Sequence, residues 1–314
     1  MTASEEERFI ARAAWACYQE GLTQAEAAKR LGASRLRVNK ALAEARRLGL
    51  VRITFNTPFA VCLELEKALS ERFGLEHCFI APSPASDADT QAAVGAALGS
   101  VLSRVLADAQ VRLFGMSWGN TLNLALGTVE AMRRPDLEII SVMGGLTRGS
   151  ALNSFEITTR LASVVGASHS FFTAPLYAGS RQTRNTIMRL DVFSEVLEKL
   201  RSVDAMAMAA GDMSRRSLLI RDGLLSDAVI EELLAAGAVG DVLGMFIDAN
   251  GRPVKHPVNE RVIGIGLDDL KAIPNVILAA GGSHKVPVIK AVLGRGLVNS
   301  FVSDERTAKA VLAE

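Results

Sequence analysis

The sequence predicts two domains, a small helical domain at residues 1–56 and a mostly parallel α/β domain at residues 57–314. Three observations support this prediction. The chain has 314 residues, and one domain typically has about 100–200. Residues 1–56 carry ten Lys and Arg against six Glu, whereas the remainder carries twenty-five against twenty-eight acidic residues. Helical periodicity fills the first part, and short apolar strands alternate with helices in the second.

Two helices are predicted at the start of the small domain. Between Ser4 and Gln19 apolar residues recur at helical spacing, and Gly21 ends this helix. Thr23 and Glu26 form a capping box, in which the hydroxyl and the carboxylate satisfy free backbone N–H groups at a helix start. The second helix therefore begins after Thr23 and extends through Leu31.

A third helix follows the turn at Gly32 and Ala33. Ser34 is a good N-cap for it, and Gly49 is its stop signal. The apolar residues expected to pack are Leu36, Val38, Leu42, Ala45 and Leu48. Residues 50–55 then predict a strand.

This order of elements, with a basic third helix, is that of a winged helix-turn-helix, whose third helix enters the major groove of DNA. Between Lys29 and Arg52 there are eight basic residues and one acidic residue, Glu44. The alternative is a structural three-helix domain with a solvated basic face, but the density of positive charge favours nucleic acid. The residues expected to contact DNA are Thr23, Gln24, Ser34, Arg35, Arg37, Asn39, Lys40, Arg46 and Arg47, the first positions of the third helix reading bases and Arg46 and Arg47 binding phosphates.

The larger domain begins after a predicted hinge at residues 56–59. Strands are predicted near 78–81, 111–115, 137–143, 169–173, 203–210, 239–247, 262–265, 275–280 and 298–302. Helices are predicted around 61–73, 88–107, 120–132, 153–165, 186–200, 226–236, 284–293 and 304–313. This alternation indicates βαβ units and a mostly parallel sheet, whose ligands bind beyond the carboxyl ends of the strands.

Three loops that follow strands have the composition of a ligand site: residues 115–121, 144–150 and 281–285. They offer close backbone approach at glycines such as Gly281 and Gly282, hydroxyls, and helix N-termini that attract anions. Arg148 and Lys285 add cations, and Asn120 is a further candidate from its loop position. Each loop alone could be a simple tight turn, but three in one domain favour a pocket for a polyhydroxylated ligand. No dinucleotide fingerprint and no P-loop is present, so no cofactor is predicted.

At these loops the sequence resembles the SorC family of sugar-responsive transcriptional regulators. The resemblance covers nearly the whole chain and rests on Gly115-x-Ser117-Trp118-Gly119-x-Thr121, on Gly237-Ala238-Val239-Gly240-Asp241 leading to Phe246-x-Asp248-x-x-Gly251, on Ala280-Gly281-Gly282-x-x-Lys285, and on Val298-Asn299-x-x-Val302-x-Asp304-Glu305-x-Thr307-Ala308.

The resemblance implies a Rossmann-like effector domain, similar in fold to ribose-phosphate isomerase and glucosamine-phosphate deaminase, which binds phosphorylated sugars or polyols. It implies dimers or tetramers on operator DNA. The effector contacts that it implies are Ser117, Gly119, Thr121, Gly144, Gly145, Asp241 for a sugar hydroxyl, and Lys285 for phosphate.

The function predicted is therefore a DNA-binding repressor of a carbohydrate or polyol operon that responds to a sugar, polyol or sugar phosphate. The alternative is a sugar-phosphate isomerase or deaminase with an appended DNA-binding domain. Such an enzyme needs a positioned general base, and no local base–acid pair accompanies His77, His169, His256 or His284, so no catalytic residue is predicted.

The remaining features agree with a cytoplasmic protein. Cys17, Cys62 and Cys78 are scattered without metal-ligand spacing, so no metal site is predicted and a reducing compartment is favoured. The first residues are acidic, unlike a signal peptide, and no uncharged apolar run is long enough to suggest a membrane span.

Overall fold

The computed structural model describes residues 5–51, 57, 59–146 and 152–313, without the side chain of Ser194. The chain divides into two compact units, Met1–Thr57 and Pro58–Glu314. The predicted strand at 50–55 lies outside the described residues except for Leu50 and Val51, as do Asn56 and Pro58 of the predicted hinge.

The first unit contains three described helices: α1 (Glu5–Tyr18), α2 (Gln24–Arg30) and α3 (Arg35–Arg47). Both predicted helix starts are confirmed. The Thr23 hydroxyl accepts a hydrogen bond from the Glu26 N–H at 3.3 Å, and the Glu26 carboxylate accepts one from the Thr23 N–H at 2.8 Å. The Ser34 hydroxyl caps α3 by accepting from the Arg37 N–H at 3.2 Å.

The packing face of α3 differs in part from the prediction. Val38, Ala41, Leu42 and Ala45 are buried, at the i, i+3, i+4 and i+7 positions of one helical stripe. Leu36 and Leu48, which were expected to pack, are 65% and 46% exposed. They lie off this stripe, so the prediction was wrong for these two residues.

The second unit is an α/β domain built on two sheets. Its helices are α4 (Ala60–Phe73), α5 (Thr90–Ala107), α6 (Asn120–Ala125), α7 (Ser154–Val165), α8 (Arg181–Ile187), α9 (Asp191–Arg201), α10 (Leu218–Arg221), α11 (Asp227–Ala235), α12 (Val286–Gly294) and α13 (Glu305–Leu312). Its strands are β1 (His77–Ala81), β2 (Leu113–Met116), β3 (Glu138–Ser141), β4 (Ser168–Ser170), β5 (Ala205–Met208), β6 (Ala210–Asp212), β7 (Gly240–Val242), β8 (Met245–Ile247), β9 (Asn275–Ala279) and β10 (Ser300–Asp304).

The main sheet has the order β1-β10-β9-β5-β2-β3-β4 with every neighbouring pair parallel, which confirms the predicted fold class. The strands that follow β2 in the sequence, β3 and β4, lie on one side of it in the sheet. The later strands β5, β9 and β10 lie on its other side. The carboxyl ends of β2 and β5 therefore flank a topological switch point, where open α/β sheets bind their ligands.

A small antiparallel sheet, β6-β7-β8, corrects the prediction of one strand at 239–247. Leu243 and Gly244 both have positive φ, 54° and 79°, and they form the tight hairpin turn between β7 and β8. Such primed turns match the twist of an antiparallel pair.

Besides small differences at the ends of elements, four other predicted elements differ from the structure. The strand predicted at 203–210 is divided into β5 and β6, and residues 262–265 make isolated bridges only, between Tyr177 and Val262 and between Met143 and Gly264. The helix predicted at 186–200 is interrupted because Leu190 is extended, with φ −65° and ψ 136°. The helix predicted at 120–132 ends at Ala125.

Helix α5 packs against α6 and against the sheet. Its glycines allow a close approach: a Cβ atom on Gly99 would lie 2.0 Å from the Thr128 Oγ1 atom and 2.7 Å from the Ala125 carbonyl oxygen. By length and composition the segment Asp87–Ala107 is apolar enough to cross a membrane, but half of it is buried within the domain. Its burial against α6 and the main sheet is that of a core helix of this domain.

Candidate functional site

A pocket of about 80 Å³ lies at the switch point of the main sheet. It is formed by the segments that follow β2, β5 and β9, which are neighbouring strands, together with β7 of the small sheet. Its lining residues are Gln91, Trp118, Gly119, Asn120, Thr121, Ala209, Ala210, Gly211, Asp212, Arg216, Ser217, Leu218, Leu219, Arg221, Asp241 and Lys285.

The segment after β2 supplies hydroxyl and amide groups. Its backbone is tied to β5, since the Ser117 N–H donates to the Ala207 carbonyl at 3.1 Å. The Ser117 side chain is buried, and its Oγ atom has no hydrogen-bond partner among the described residues. Gly119 has φ 128°, a conformation that L side chains rarely adopt. The Asn120 amide lies at the start of α6 and donates to the Gln91 side chain of α5 at 2.7 Å.

Lys285 lies in a 3₁₀ turn between β9 and α12 and is only 7% exposed. Within the described part of the chain, its ammonium forms no ion pair within 4.0 Å. Burial lowers its pKa, and the carboxylates of Asp212 and Asp241 oppose that shift. A buried cation with this environment is costly unless a further group satisfies it.

The turn that carries Lys285 is held by a buried network at the start of α13. The Gly282 N–H donates to the Thr307 hydroxyl at 2.7 Å, and this hydroxyl in turn bonds to the Asp304 carboxylate. Asp304 also accepts a hydrogen bond from the Ser83 hydroxyl at 2.6 Å. These residues fix the backbone from which Lys285 extends.

Two buried carboxylates face the pocket from the small sheet. The Asp241 carboxylate, on β7, accepts a hydrogen bond from the Gly244 N–H at 3.2 Å. Asp212 ends β6; its Oδ2 atom accepts from the Ser214 N–H at 2.9 Å, but its Oδ1 atom is buried without a partner among the described residues. Unpaired buried acceptors are rare in native proteins, and this one lies where a ligand hydroxyl could donate to it.

Burial raises the pKa of Asp241 from 3.8 to about 6. The Gly244 hydrogen bond and the Lys285 ammonium lower this pKa, and the nearby Asp212 raises it further. The carboxylate fits closely against Gly211, because a Cβ atom there would lie 2.1 Å from the Asp241 Oδ1 atom. Glycine is therefore required at position 211 for the carboxylate to occupy its place.

Further cations lie on the segment from β6 to α10, which the sequence prediction did not include. Arg216 and Arg221 line the pocket, and Arg221 also pairs with Asp222 at 2.8 Å. This segment follows a strand and carries hydroxyls and cations, the same signal that singled out the other loops. The sequence prediction did not include this segment, although it directly follows the strand predicted at 203–210.

The predicted effector residues divide into three groups. Gly119, Asn120, Thr121, Asp241 and Lys285 line the pocket, and Ser117 adjoins it in sequence. Gly144 and Gly145 lie elsewhere, where added Cβ atoms would meet the Pro175 carbonyl oxygen at 2.6 Å and the Phe155 ring at 2.6 Å. Gly281 and Gly282 support the Lys285 turn without lining the pocket, and Arg148 lies outside the described residues.

The histidines are not part of the pocket lining. His284 precedes Lys285, and burial lowers its pKa. His256 pairs with Glu232 at 3.0 Å. Among the described residues no group of three His, Cys, Asp or Glu side chains could hold a metal ion.

The first unit has a helix-turn-helix with a basic third helix. Arg35, Asn39 and Lys40 are exposed on α3, as are Arg46 and Arg47 near its end. Arg47 pairs with Glu44 at 2.5 Å. Thr23 and Ser34 serve as the N-caps of α2 and α3, and Gln24 is the first residue of α2.

Comparison with known proteins defines the class to which this fold and pocket belong. Residues 57–313 match the family described as "Putative sugar-binding domain". The chain is 28% identical over 312 residues to the erythritol catabolism regulatory protein EryD of Brucella abortus, a match that covers 99% of this chain and 98% of that protein. It is 32% identical over 312 residues to the transcriptional regulator LsrR of Escherichia coli K12, covering 98% and 95% respectively.

Solved structures show the same fold. The full-length sorbitol operon regulator SorC of Klebsiella pneumoniae superposes with a TM-score of 0.74 at 24% identity, covering 99% of this chain and all of that one. A DeoR family transcriptional regulator of Listeria monocytogenes gives a TM-score of 0.73 at 27% identity, covering 79% of this chain and 98% of that one. The chain belongs to the SorC family of sugar-binding transcriptional regulators.

Proposed function

We propose that the chain represses a carbohydrate or polyol operon in the cytoplasm, with α3 in the major groove of operator DNA and an effector in the switch-point pocket. The unit boundary at residue 57 separates these two roles. One observation carries the proposal for the pocket: the Asp212 Oδ1 atom is buried without a hydrogen-bond partner among the described residues, and the buried Lys285 forms no ion pair with them. A polyol satisfies both kinds of group, because each hydroxyl accepts from a cation and donates to a carboxylate.

We assign Asp241 and Asp212 to effector hydroxyls, and Lys285 to the phosphate or hydroxyl that lies between them. Arg216 and Arg221 add positive charge, so a phosphate on the effector would be favoured electrostatically. Ser117, Gly119, Asn120 and Thr121 complete the contacts on the β2 side. Gly281 and Gly282 contribute through the position of Lys285, whereas Gly144, Gly145 and Arg148 remain proposed effector residues outside this pocket lining.

The test is a thermal-shift screen of sugars, polyols and their monophosphates, since a ligand that binds only the native state raises the melting temperature. Erythritol and erythritol phosphate are the first probes, because one relative is named for erythritol catabolism. Lys285→Met is the matched control for binding in the pocket. Failure of every compound to stabilise the wild-type chain would contradict the proposed effector class.

We further propose that the chain is a homodimer or a homotetramer. One helix-turn-helix buries little surface, and two-fold symmetric proteins bind palindromic half-sites about one helical turn apart. Light scattering of the free protein and of its DNA complex tests this, and a monomer in both would exclude it.

A carboxylate with a pKa near 6 beside a lysine is also found in enzymes, where it acts as a general base. We nevertheless propose a binding role for Asp241 and no enzymatic activity, in keeping with relatives that are transcriptional regulators. Incubation with candidate sugar phosphates tests this directly, since turnover abolished by Asp241→Asn would establish the isomerase or deaminase alternative.

A further inference from the structure

Arg37, at the start of the recognition helix α3, is held by α1 of the same unit. Its Nη2 atom lies 2.9 Å from the Glu6 carboxylate. Its guanidinium carbon also lies 4.2 Å above the centroid of the Phe9 ring. The guanidinium is therefore bound on one side by an anion and on the other by an aromatic face, both from the start of α1.

The neighbouring cations of α3 are not held in this way. Arg35 and Lys40 are exposed, and within the described residues neither forms an ion pair. Arg37 remains 55% exposed, so its contacts with α1 can open when another partner competes for the guanidinium. Arg35 and Lys40 can therefore contact DNA directly, whereas Arg37 must first break its ion pair with Glu6.

The strength of the contacts determines which DNA can release Arg37. An exposed ion pair changes the equilibrium constant for opening such a contact by a factor of up to about five, and an exposed cation–π contact changes it by a similar factor. A bidentate arginine–guanine contact discriminates between bases by a factor of about 5–150. A guanine at the matching position of the DNA can therefore displace Glu6 from Arg37. A single contact with a phosphate, whose charge is screened by salt, stabilises the arginine less.

We propose that Glu6 is a specificity-determining residue: it keeps Arg37 away from non-cognate DNA and releases it to a correctly placed guanine. This inference rests on the proposed binding of DNA through α3. It assigns Glu6, in the acidic first turn of α1, a role in DNA recognition, and it explains how one arginine can contribute to specificity without adding to non-specific affinity.

Titration of the full-length protein with a random-sequence 24-base-pair duplex between about 50 and 200 mM salt tests the first half of the proposal. Glu6→Gln is expected to bind this duplex about three- to tenfold more tightly. The slope of log K against log salt should steepen by about 0.9, because one more cation then contacts phosphate. Glu5→Gln is the matched control, since Glu5 has the same charge and forms no ion pair with the described residues; its salt slope should stay unchanged.

The effect of Glu6 on DNA binding must depend on Arg37. In an Arg37→Ala background, Glu6→Gln should no longer change the affinity or the slope. Phe9→Leu, which retains an apolar side chain but removes the aromatic face, should act in the same direction as Glu6→Gln with a smaller effect. An equal gain from Glu5→Gln, or a gain from Glu6→Gln that persists without Arg37, would overturn the proposal in favour of a general charge effect.

Selection from a random duplex library tests the second half. The wild-type chain should enrich a guanine at one position of each half-site, and Arg37→Ala should lose that preference. The same guanine enriched by both proteins would show that Arg37 is a structural residue, and the proposal would be wrong. Absence of any DNA binding by the wild-type chain would instead remove the proposed function itself, so the two failures are distinct.

Discussion

The two units place their charged residues in opposite environments. On α3 the cations are exposed, and two of them, Arg37 and Arg47, form ion pairs with carboxylates at the surface. In the pocket of the second unit, Asp212, Asp241 and Lys285 are all buried. Surface charges keep most of their hydration, so each is worth little to stability and serves long-range attraction of a partner.

Buried charges have a different energetic role. Each has lost its hydration, and its pKa responds to the neighbours that replace water. The comparison therefore predicts that changes in the pocket alter stability and ligand binding strongly, whereas changes on α3 alter DNA binding with little effect on stability.

The largest effect is expected from Gly211→Ala. The added methyl group would lie 2.1 Å from the Asp241 Oδ1 atom, so the buried carboxylate must move. We expect a loss of about 1–3 kcal/mol in the free energy of unfolding, together with loss of effector binding. Urea unfolding and thermal shift measure the two effects. Gly179→Ala is the control, because a Cβ atom there meets nothing within 4 Å; equal stability of the two variants would contradict the close fit.

Lys285→Met should weaken effector binding at least about 100-fold, because it removes the buried cation that interacts with two carboxylates and retains an unbranched apolar side chain of similar length. Calorimetry with the best compound from the screen measures the change. Lys271→Met replaces an exposed lysine of the same domain and should bind as wild type does. Unchanged affinity in Lys285→Met would place the effector elsewhere.

The raised pKa of Asp241 predicts a dependence of stability on pH. A carboxyl whose pKa is raised on folding, here from 3.8 to about 6, binds its proton more tightly in the folded state. It therefore favours folding below about pH 4, and this contribution is lost as the pH rises through 6. Asp241→Asn should be about 1–3 kcal/mol more stable than wild type at pH 8 and nearly equal to it at pH 4.

Urea unfolding at the two pH values measures this difference. Glu195→Gln, which neutralises an exposed carboxylate of α9, is the control and should show no such change between pH 4 and pH 8. An Asp241→Asn variant with the same relative stability at both pH values would show that this carboxyl does not titrate near 6.

The smallest effect on the folded protein is expected at the end of α3. Arg46→Ala should leave the melting temperature within a few degrees and weaken binding to all DNA sequences alike. The slope of log K against log salt should fall by about one, because one phosphate contact is lost. A fluorescence titration against operator and random duplexes measures both. A change confined to the operator would mean that Arg46 reads a base.

The sequence by itself determined the elements that depend on neighbours along the chain. The Thr23–Glu26 capping box and the Ser34 cap act over three residues, and the parallel sheet follows from alternating strands and helices, so local patterns were sufficient. Local patterns did not predict the elements whose structure depends on contacts with residues distant in the sequence. The hairpin at Leu243 depends on pairing between β7 and β8, and the exposure of Leu36 depends on which stripe of α3 meets α1 and α2.

The pocket shows the same division. Its loops after β2 and β9 were predicted, because glycines and hydroxyls after a strand are visible in the sequence. Asp212 and Arg216 were not predicted, and Gly144 and Gly145 do not line the pocket, because the order of strands decides which loops meet. Only the tertiary structure brings β6, β7 and β9 together, and with them buries two carboxylates and a lysine. Burial shifts the pKa values of Asp241 and Lys285 and leaves the Asp212 Oδ1 atom without a hydrogen-bond partner among the described residues, and neither effect has a counterpart in the sequence.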